Sequence, residues 1–238
     1  MHGEERGMNG VLATLRAELE PCGFDLLHPF RIGAYNDRAS PSLALDDLGS
    51  RDHLAIVVGN TRALWPVWLA ALAADRALAA NPEPLDAYTE RTLQAALGSL
   101  RARAAVRFAH ETGVRTPAIQ RVAHAAGLAY LSETHMSVHP TYGPWIALRA
   151  VVTVAVAGPP DAAAPMAQPC GDCASHCRPA FERALATIAG APSEANARAH
   201  WREWLACRDA CPVGREHRYS EAQIHYHYCR RLVLPKAD

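Results

Sequence analysis

The sequence predicts a mixed α+β fold, a sheet packed with helices, followed by a helical, cysteine-rich C-terminal part. Three observations lead there. Segments with apolar residues at helical spacing, such as Leu12, Leu15 and Leu19, alternate along the chain with short strand-like runs such as Leu54 to Val58. Those runs are too unequal in length to be the repeated crossovers of a doubly wound sheet, which favours α+β layers. Beyond Gly158-Pro159-Pro160 the pattern turns helical, and Cys170, Cys173, Cys177, Cys207, Cys211 and Cys229 fall there.

The elements follow in order. Residues 8–20 form a helix with Arg16, Glu18 and Glu20 on its polar face, and Cys22-Gly23 ends it. Phe24 to Tyr35 reads as extended, and His53 to Gly59 as a buried strand. Asn60 or Thr61 caps the next helix, which carries Leu64, Trp65, Trp68 and Leu69. A helix from Leu85 to about Leu100 has Asp86 and Glu90 near its start, where acidic groups favour the helix dipole. Arg103 to Ala109 is a strand. Thr116-Pro117 reads as cap and first residue of a helix running through Val122, Ala126, Leu128 and Leu131. Met136–His139 and Trp145–Val156 form a strand pair or bent hairpin broken at Gly143-Pro144. Helices follow at Pro179–Ala189, Ser193–Cys207 and Ser220–Arg231, with Ser193 as a cap. The best linker is 158–169, so the division expected is a core over 8–157 and a cysteine-rich helical extension over 158–238 completing the same domain.

The 238 residues suffice for a large core, and formal net charge is zero. No basic run is interleaved with aromatics, which argues against a nucleic-acid partner. No segment reaches the ~18 apolar residues of a membrane span; Trp145 to Ala157 comes nearest and Arg149 interrupts it. The acidic start, Met-His-Gly-Glu-Glu-Arg-Gly, does not resemble a signal peptide. A cytoplasmic location is expected, where clustered cysteines are ligands or redox groups more often than disulfides. An odd count of seven also fits a disulfide framework badly.

Cys170, Cys173 and Cys177 read Cys-x2-Cys-x3-Cys, and Cys207-x3-Cys211 is followed by Pro212. Four thiolates can hold one tetrahedral zinc or one [4Fe–4S] centre; spacing alone does not separate these from each other or from redox-active thiols. Cys211 completes the first three, or Cys207 and Cys211 together supply the second half. No phosphate-binding glycine loop occurs.

Three ordered stretches carry a resemblance. The first is Gly23-Phe24-Asp25 through Pro29-Phe30 to Ala34-Tyr35-Asn36. The second is Ala123 to Tyr130, then His139-Pro140-Thr141-Tyr142-Gly143-Pro144-Trp145 to Arg149. The third is His200 to Trp204, Arg208-Asp209-Ala210 and Arg218 to Gln223. Together, over about residues 12–231, they resemble the cobalamin-processing CblC family. That resemblance implies a flavin-nitroreductase-like fold that binds cobalamin with its lower base detached and removes its upper ligand. Cyanide leaves on reduction of cobalt, and alkyl groups leave by transfer to the glutathione thiolate. Removing one axial donor eases Co–C cleavage, and a closed pocket keeps water from reduced cobalt.

Position by position, the resemblance assigns Arg149 and Arg208, and more loosely Arg230, to the glutathione site, where guanidinium forks suit two carboxylates. The bland alternative is ordinary ion pairing, Arg149 with Asp209 or Arg208 with Glu203. It places His124 in the corrinoid pocket through a His-x2-Gly motif, without making it a cobalt ligand. Ser137, His139, Tyr142, Gly143 and Trp145 form the turn expected against the corrin, and Tyr219 matches a pocket tyrosine. Core packing accounts equally well for Trp145, Trp201 and Trp204.

The cysteines depart from that family. Cys170-Gly171-Asp172-Cys173 and Asp209 to Gly214, with Cys229, are similar to the epoxyqueuosine reductases, another corrinoid family. This favours a [4Fe–4S] centre, with zinc as the alternative for Cys170, Cys173, Cys177, Cys207 and Cys211. Such a centre would replace or supplement the family's flavin as electron donor. Other readings are a small corrinoid and iron–sulfur reductase with another substrate, a non-catalytic cobalamin chaperone with structural zinc, and a flavin-only nitroreductase. A homodimer stays open, since related folds often dimerise.

Overall fold

The computed structural model describes residues 7–160, 168–170, 173, 176–190, 193–230 and 232. The chain forms two compact units, Met1–Ala129 with Ala147–Met166, and Tyr130–Ile146 with Ala167–Asp238. Residues 130–146 thus belong with the C-terminal helices. Most of the expected linker over 158–169 lies outside the described residues.

The first unit is built on a four-stranded antiparallel sheet. Its strands are β1 (Leu26–Arg31), β2 (His53–Asn60), β3 (Ala104–Phe108) and β6 (Ala147–Ala157), in the order β1-β2-β6-β3. The continuous apolar run of β2 marks a strand covered on both faces, and Leu54, Ala55, Ile56, Val57 and Val58 are all fully buried. Helix α1 (Met8–Leu19) buries Val11, Leu12, Leu15 and Leu19 and packs on β1 and on α5 (Pro84–Gly98). It closes through a short 3-10 turn at Glu20–Cys22 into Gly23. That glycine has φ +88°, and a Cβ there would stand 2.6 Å from Leu64 Cα. The remaining helices are α2 (Gly33–Asn36), α3 (Leu64–Ala74), α4 (Arg76–Ala79) and α6 (Ile119–Ala126), the last packed on β1, β2 and β6.

Several boundaries differ from those expected. Neither Asn60 nor Thr61 caps α3, whose N-cap is Ala63. Both side chains are bound elsewhere: the Thr61 hydroxyl donates to Asp25 Oδ2 at 2.5 Å, and Asn60 Oδ1 accepts from Arg149 Nε at 2.7 Å. Thr116 ends a 3-10 turn at Gly113–Arg115, and α6 starts only at Ile119. It stops at Gly127, φ +83°, so Leu128 and Leu131 lie outside it. Tyr130–Leu131 is instead strand β4, paired with β5 (Ser137–Val138). The expected hairpin between 136–139 and 145–156 does not form, because β6 takes β2 and β3 as neighbours.

His28, on β1, donates from Nε2 to the Ala126 carbonyl at 2.8 Å. Burial lowers its pKa below the ordinary 6.5, and that hydrogen bond offsets the shift only in part. The unfolded chain protonates this group near 6.5 and the folded chain only at lower pH. The neutral imidazole's contribution is therefore complete above 6.5 and is lost as pH falls from there toward the folded value. Thermal melts between pH 7 and pH 5 are expected to show falling stability, with a flatter slope in His28→Gln; an unchanged slope would remove His28 as a cause.

In the second unit, α7 (Arg178–Ile188) packs on α9 (Trp201–Asp209), with α8 (Glu194–Ala199) and α10 (Glu221–Cys229) beside them in sequence. Ser193 and Ser220 cap α8 and α10, accepting from the N–H of Asn196 and Gln223. The single helix expected over 193–207 is two helices, broken at His200. Trp145, Leu205, Tyr219 and Ile224 form the buried centre, with Trp201 and Tyr228 against it. No helix among the described residues is long and apolar enough to cross a membrane.

Candidate functional site

Most of the sequence-predicted site residues fall in the second unit. After β5 the chain turns back sharply, and His139 and Gly143 exchange both backbone hydrogen bonds at 2.9 Å. His139 Nδ1 accepts from the N–H of Thr141 at 3.0 Å and of Tyr142 at 3.2 Å, which fixes that nitrogen as an acceptor. Tyr142 packs 4.9 Å from the His139 ring and 4.7 Å from that of His217. Gly143 has φ +55°, and a Cβ there would lie 1.9 Å from the Val213 carbonyl oxygen. Gly214, φ +67°, faces it: its Cβ would lie 2.3 Å from the Tyr142 carbonyl carbon. The turn is held directly against the backbone that follows Cys211-Pro212.

Trp145 is buried and meets Tyr219 edge-on, with ring centroids 5.6 Å apart. Arg208 donates to the Pro144 carbonyl, and its guanidinium carbon stands 4.7 Å from the Trp145 ring and 5.3 Å from that of Tyr219. Both rings therefore place a cation by π contact, worth about 0.5–2 kcal/mol per contact. Asp209 pairs with Arg218, whose Nε stands 2.7 Å from Oδ1.

Arg208 and Arg230 line one cavity of about 570 Å³, together with Arg198, Cys207, His227 and Tyr228. Phe181, Leu185 and Trp204 form its apolar wall. Arg230 ends α10 at φ +55°, a left-handed conformation that costs a non-glycine residue roughly 1–2 kcal/mol. Burial pushes the Tyr228 phenol pKa up, so it stays a neutral hydrogen-bonding group. Trp204 Nε1 and Ser137 Oγ are buried without a hydrogen-bond partner among the described residues, so each has capacity left for a ligand.

Cys170, Cys173 and Cys177 line a second cavity of about 240 Å³, with Thr134 and Arg178. Thr134 lines both cavities. Cys207 Sγ lies 3.7 Å from the Cys177 carbonyl, to which it donates. Burial above all, then the neighbouring Cys177, pushes the Cys207 thiol up to about 11. Cys170 and Cys211 are raised for the same reason, burial first. Among the described residues no three His, Cys, Asp or Glu side chains already stand in a metal-holding arrangement. The donor set, not a finished geometry, is what suits a metal.

His124 and Arg149 belong to the first unit. His124 is exposed on α6, and Arg149 is on β6, bound to Asn60. Sequence reasoning did not single out Arg198, His227, Tyr228 or Thr134. The three arginines of the cavity come from separate segments with no shared spacing, so no local pattern marks them.

An antiparallel sheet packed with helices, together with a second unit that carries arginine- and cysteine-lined cavities, is the architecture of a nitroreductase-like α+β fold. Within that class the chain belongs to the methylmalonic aciduria and homocystinuria type C family, whose profile matches residues 23–232. Its fold is similar to that of a C. elegans B12-trafficking protein, CblC, with a TM-score of 0.69 and 18% identity over 92% of this chain and 91% of that one. It is also similar to an epoxyqueuosine reductase, with a TM-score of 0.50 and 14% identity over 89% of this chain and 68% of that one. No curated protein sequence matches significantly.

Proposed function

We propose that this chain is a cobalamin-processing enzyme that binds cobalamin with its lower base detached and removes the upper axial ligand. Family membership over residues 23–232 is the observation that carries this. The nitroreductase-like fold shared with the C. elegans B12-trafficking protein agrees with it.

The cavity at Arg208 supports thiol-dependent removal of alkyl groups. About 570 Å³ lies within the 300–1,000 Å³ of small-ligand pockets and suits a tripeptide rather than a whole corrinoid. Arg208, Arg230 and Arg198 supply guanidinium forks for the two glutathione carboxylates, while Phe181 and Trp204 exclude water. The thiolate sulfur attacks the alkyl carbon bound to cobalt. An S–C bond forms, the Co–C bond breaks and its electron pair stays on cobalt. We assign Ser137, His139, Tyr142, Gly143, Trp145 and Tyr219, with His124, to the corrinoid, and Arg149 to the thiol.

Cyanide removal requires an electron donor. A cysteine-held [4Fe–4S] centre or a bound flavin would supply it, and a zinc at the same thiols would not. All seven cysteines are free thiols, which suits a reducing compartment such as the cytoplasm. The test is a spectral titration of methylcobalamin with the purified chain: conversion to the base-off form is expected, and an unchanged spectrum at saturation would end this reading.

A further inference from the structure

We propose that Cys177 and Cys207 are a redox pair, which closes to a disulfide between α7 and α9 by exchange with a low-molecular-weight disulfide such as oxidised glutathione. The pair does not depend on cobalamin processing, and its test contains no cobalamin.

The first ground is contact. Cys177 is the N-cap of α7 and Cys207 lies on α9, and these two helices pack on each other. Cys207 Sγ donates to the Cys177 carbonyl at 3.7 Å. Thr134 Oγ1 stands 3.7 Å from Cys177 Sγ. Thr134 is itself buried, and its hydroxyl is 3.0 Å from that of Ser132. Two cysteines 30 residues apart in the chain are thus brought to one packed junction. A disulfide needs only two thiols on neighbouring backbone. A structural metal site needs more donors, and no three stand ready among the described residues.

The second ground is access. Cys177 is half-buried and lines the 240 Å³ cavity, whereas Cys207 is 3% exposed and lines the 570 Å³ cavity. Thr134 lines both, so the two thiols flank the wall between the cavities. In thiol–disulfide exchange the accessible sulfur reacts with the incoming disulfide, and its sheltered neighbour resolves the product. Cys177 has the first role and Cys207 the second. As a donor to the Cys177 carbonyl, Cys207 keeps its proton until that second step.

The third ground is the balance of the exchange. Both residues are free thiols. The Cys177 sulfur, as thiolate, attacks one sulfur of the incoming disulfide. A mixed disulfide forms, the incoming S–S bond breaks, and one thiolate leaves and takes the proton that Cys177 gave up. Cys207 then attacks the Cys177 sulfur. The Cys177–Cys207 bond forms, the mixed disulfide breaks, and the second departing thiolate takes the Cys207 proton. The chain is oxidised by two electrons, and the small disulfide is reduced to two thiols. In a reducing compartment such a bridge is a transient, redox-sensing one. Cys207 immediately precedes Arg208, so the bridge ties α9 to α7 beside an arginine of the larger cavity.

The test is exposure of the reduced full chain to excess oxidised glutathione, acid quenching at intervals, alkylation of the remaining thiols and peptide mapping by mass spectrometry. The expected first product is a cross-link between the Cys177 and Cys207 peptides, reversed by dithiothreitol. Cys207→Ser is expected to stop at a glutathione adduct on Cys177. Cys177→Ser is expected to leave Cys207 alkylatable after denaturation. The unaltered chain decides the pairing, whatever the folding of the variants. Cys177 and Cys207 both remaining reduced, or Cys177 bridged to Cys170 or Cys173 instead, would overturn the pair. A glutathione adduct on Cys207 in Cys177→Ser, formed as fast as the cross-link in the unaltered chain, would overturn the order of attack.

Discussion

Arg208→Lys is expected to raise the glutathione KM for dealkylation of methylcobalamin by about 10- to 150-fold. That range is the 1.5–3 kcal/mol of a hydrogen bond to a charged group. Lysine keeps the charge but loses the planar fork that binds a carboxylate at two points. The side chain also donates to the Pro144 carbonyl and lies over Trp145 and Tyr219, so part of any effect could be structural. Two readouts separate these. Decyanation driven by an external one-electron reductant uses no tripeptide and is expected to stay within about twofold, because KM alone moves when only ground-state binding is lost. Base-off cobalamin binding is expected to persist. Equal loss of both reactions would make Arg208 a packing residue of the Trp145–Tyr219 centre.

The second large effect is steric. Gly143→Ala and Gly214→Ala are each expected to destabilise the chain by more than about 3 kcal/mol, the range of severe backbone substitutions. At a few degrees per kcal/mol this lowers the melting temperature by roughly 10 °C. The two glycines face each other's backbone, and an added Cβ would stand 1.9 Å from the Val213 carbonyl oxygen or 2.3 Å from the Tyr142 carbonyl carbon. Backbone does not yield as a flexible side-chain tip does. Gly49→Ala is the control. Gly49 has φ +94° but nothing within 4 Å of the added Cβ, so it loses only about 1–2 kcal/mol of conformational strain. Thermal melts of the three variants check this. Equal losses would mean that positive φ, not the close approach of the two turns, sets the requirement for glycine.

Local pattern was a good guide where one element decides its own state. The apolar face of residues 8–20 and the continuous run in β2 became α1 and the doubly covered central strand. It failed where the partner is distant in sequence. Nothing around Thr116-Pro117 shows that the chain first makes a 3-10 turn, nor that Tyr130–Leu131 pairs with Ser137–Val138. The pairing of β6 with β2 and β3 is likewise non-local, which is why a hairpin with its immediate predecessor looked attractive. In the site, the family resemblance named Arg208, Arg230 and the His139–Trp145 turn. The sharing of one cavity by Arg198, Arg208 and Arg230 depends on how α8, α9 and α10 pack. For the cysteines, spacing gave the kind of chemistry. Which thiols face the same cavity is set by the β4–β5 segment that carries Thr134, which carries no cysteine and left no mark in the spacing.

The most direct test of cobalamin processing is absorption spectroscopy of methylcobalamin during titration with the purified chain. Binding that detaches the lower base shifts the spectrum from the base-on to the base-off form, saturating at about one cobalamin per chain, the stoichiometry of a single preformed site. Adding glutathione is then expected to release the methyl group as its thioether. A spectrum that stays base-on at saturating protein would contradict cobalamin processing, whatever metal the cysteines hold.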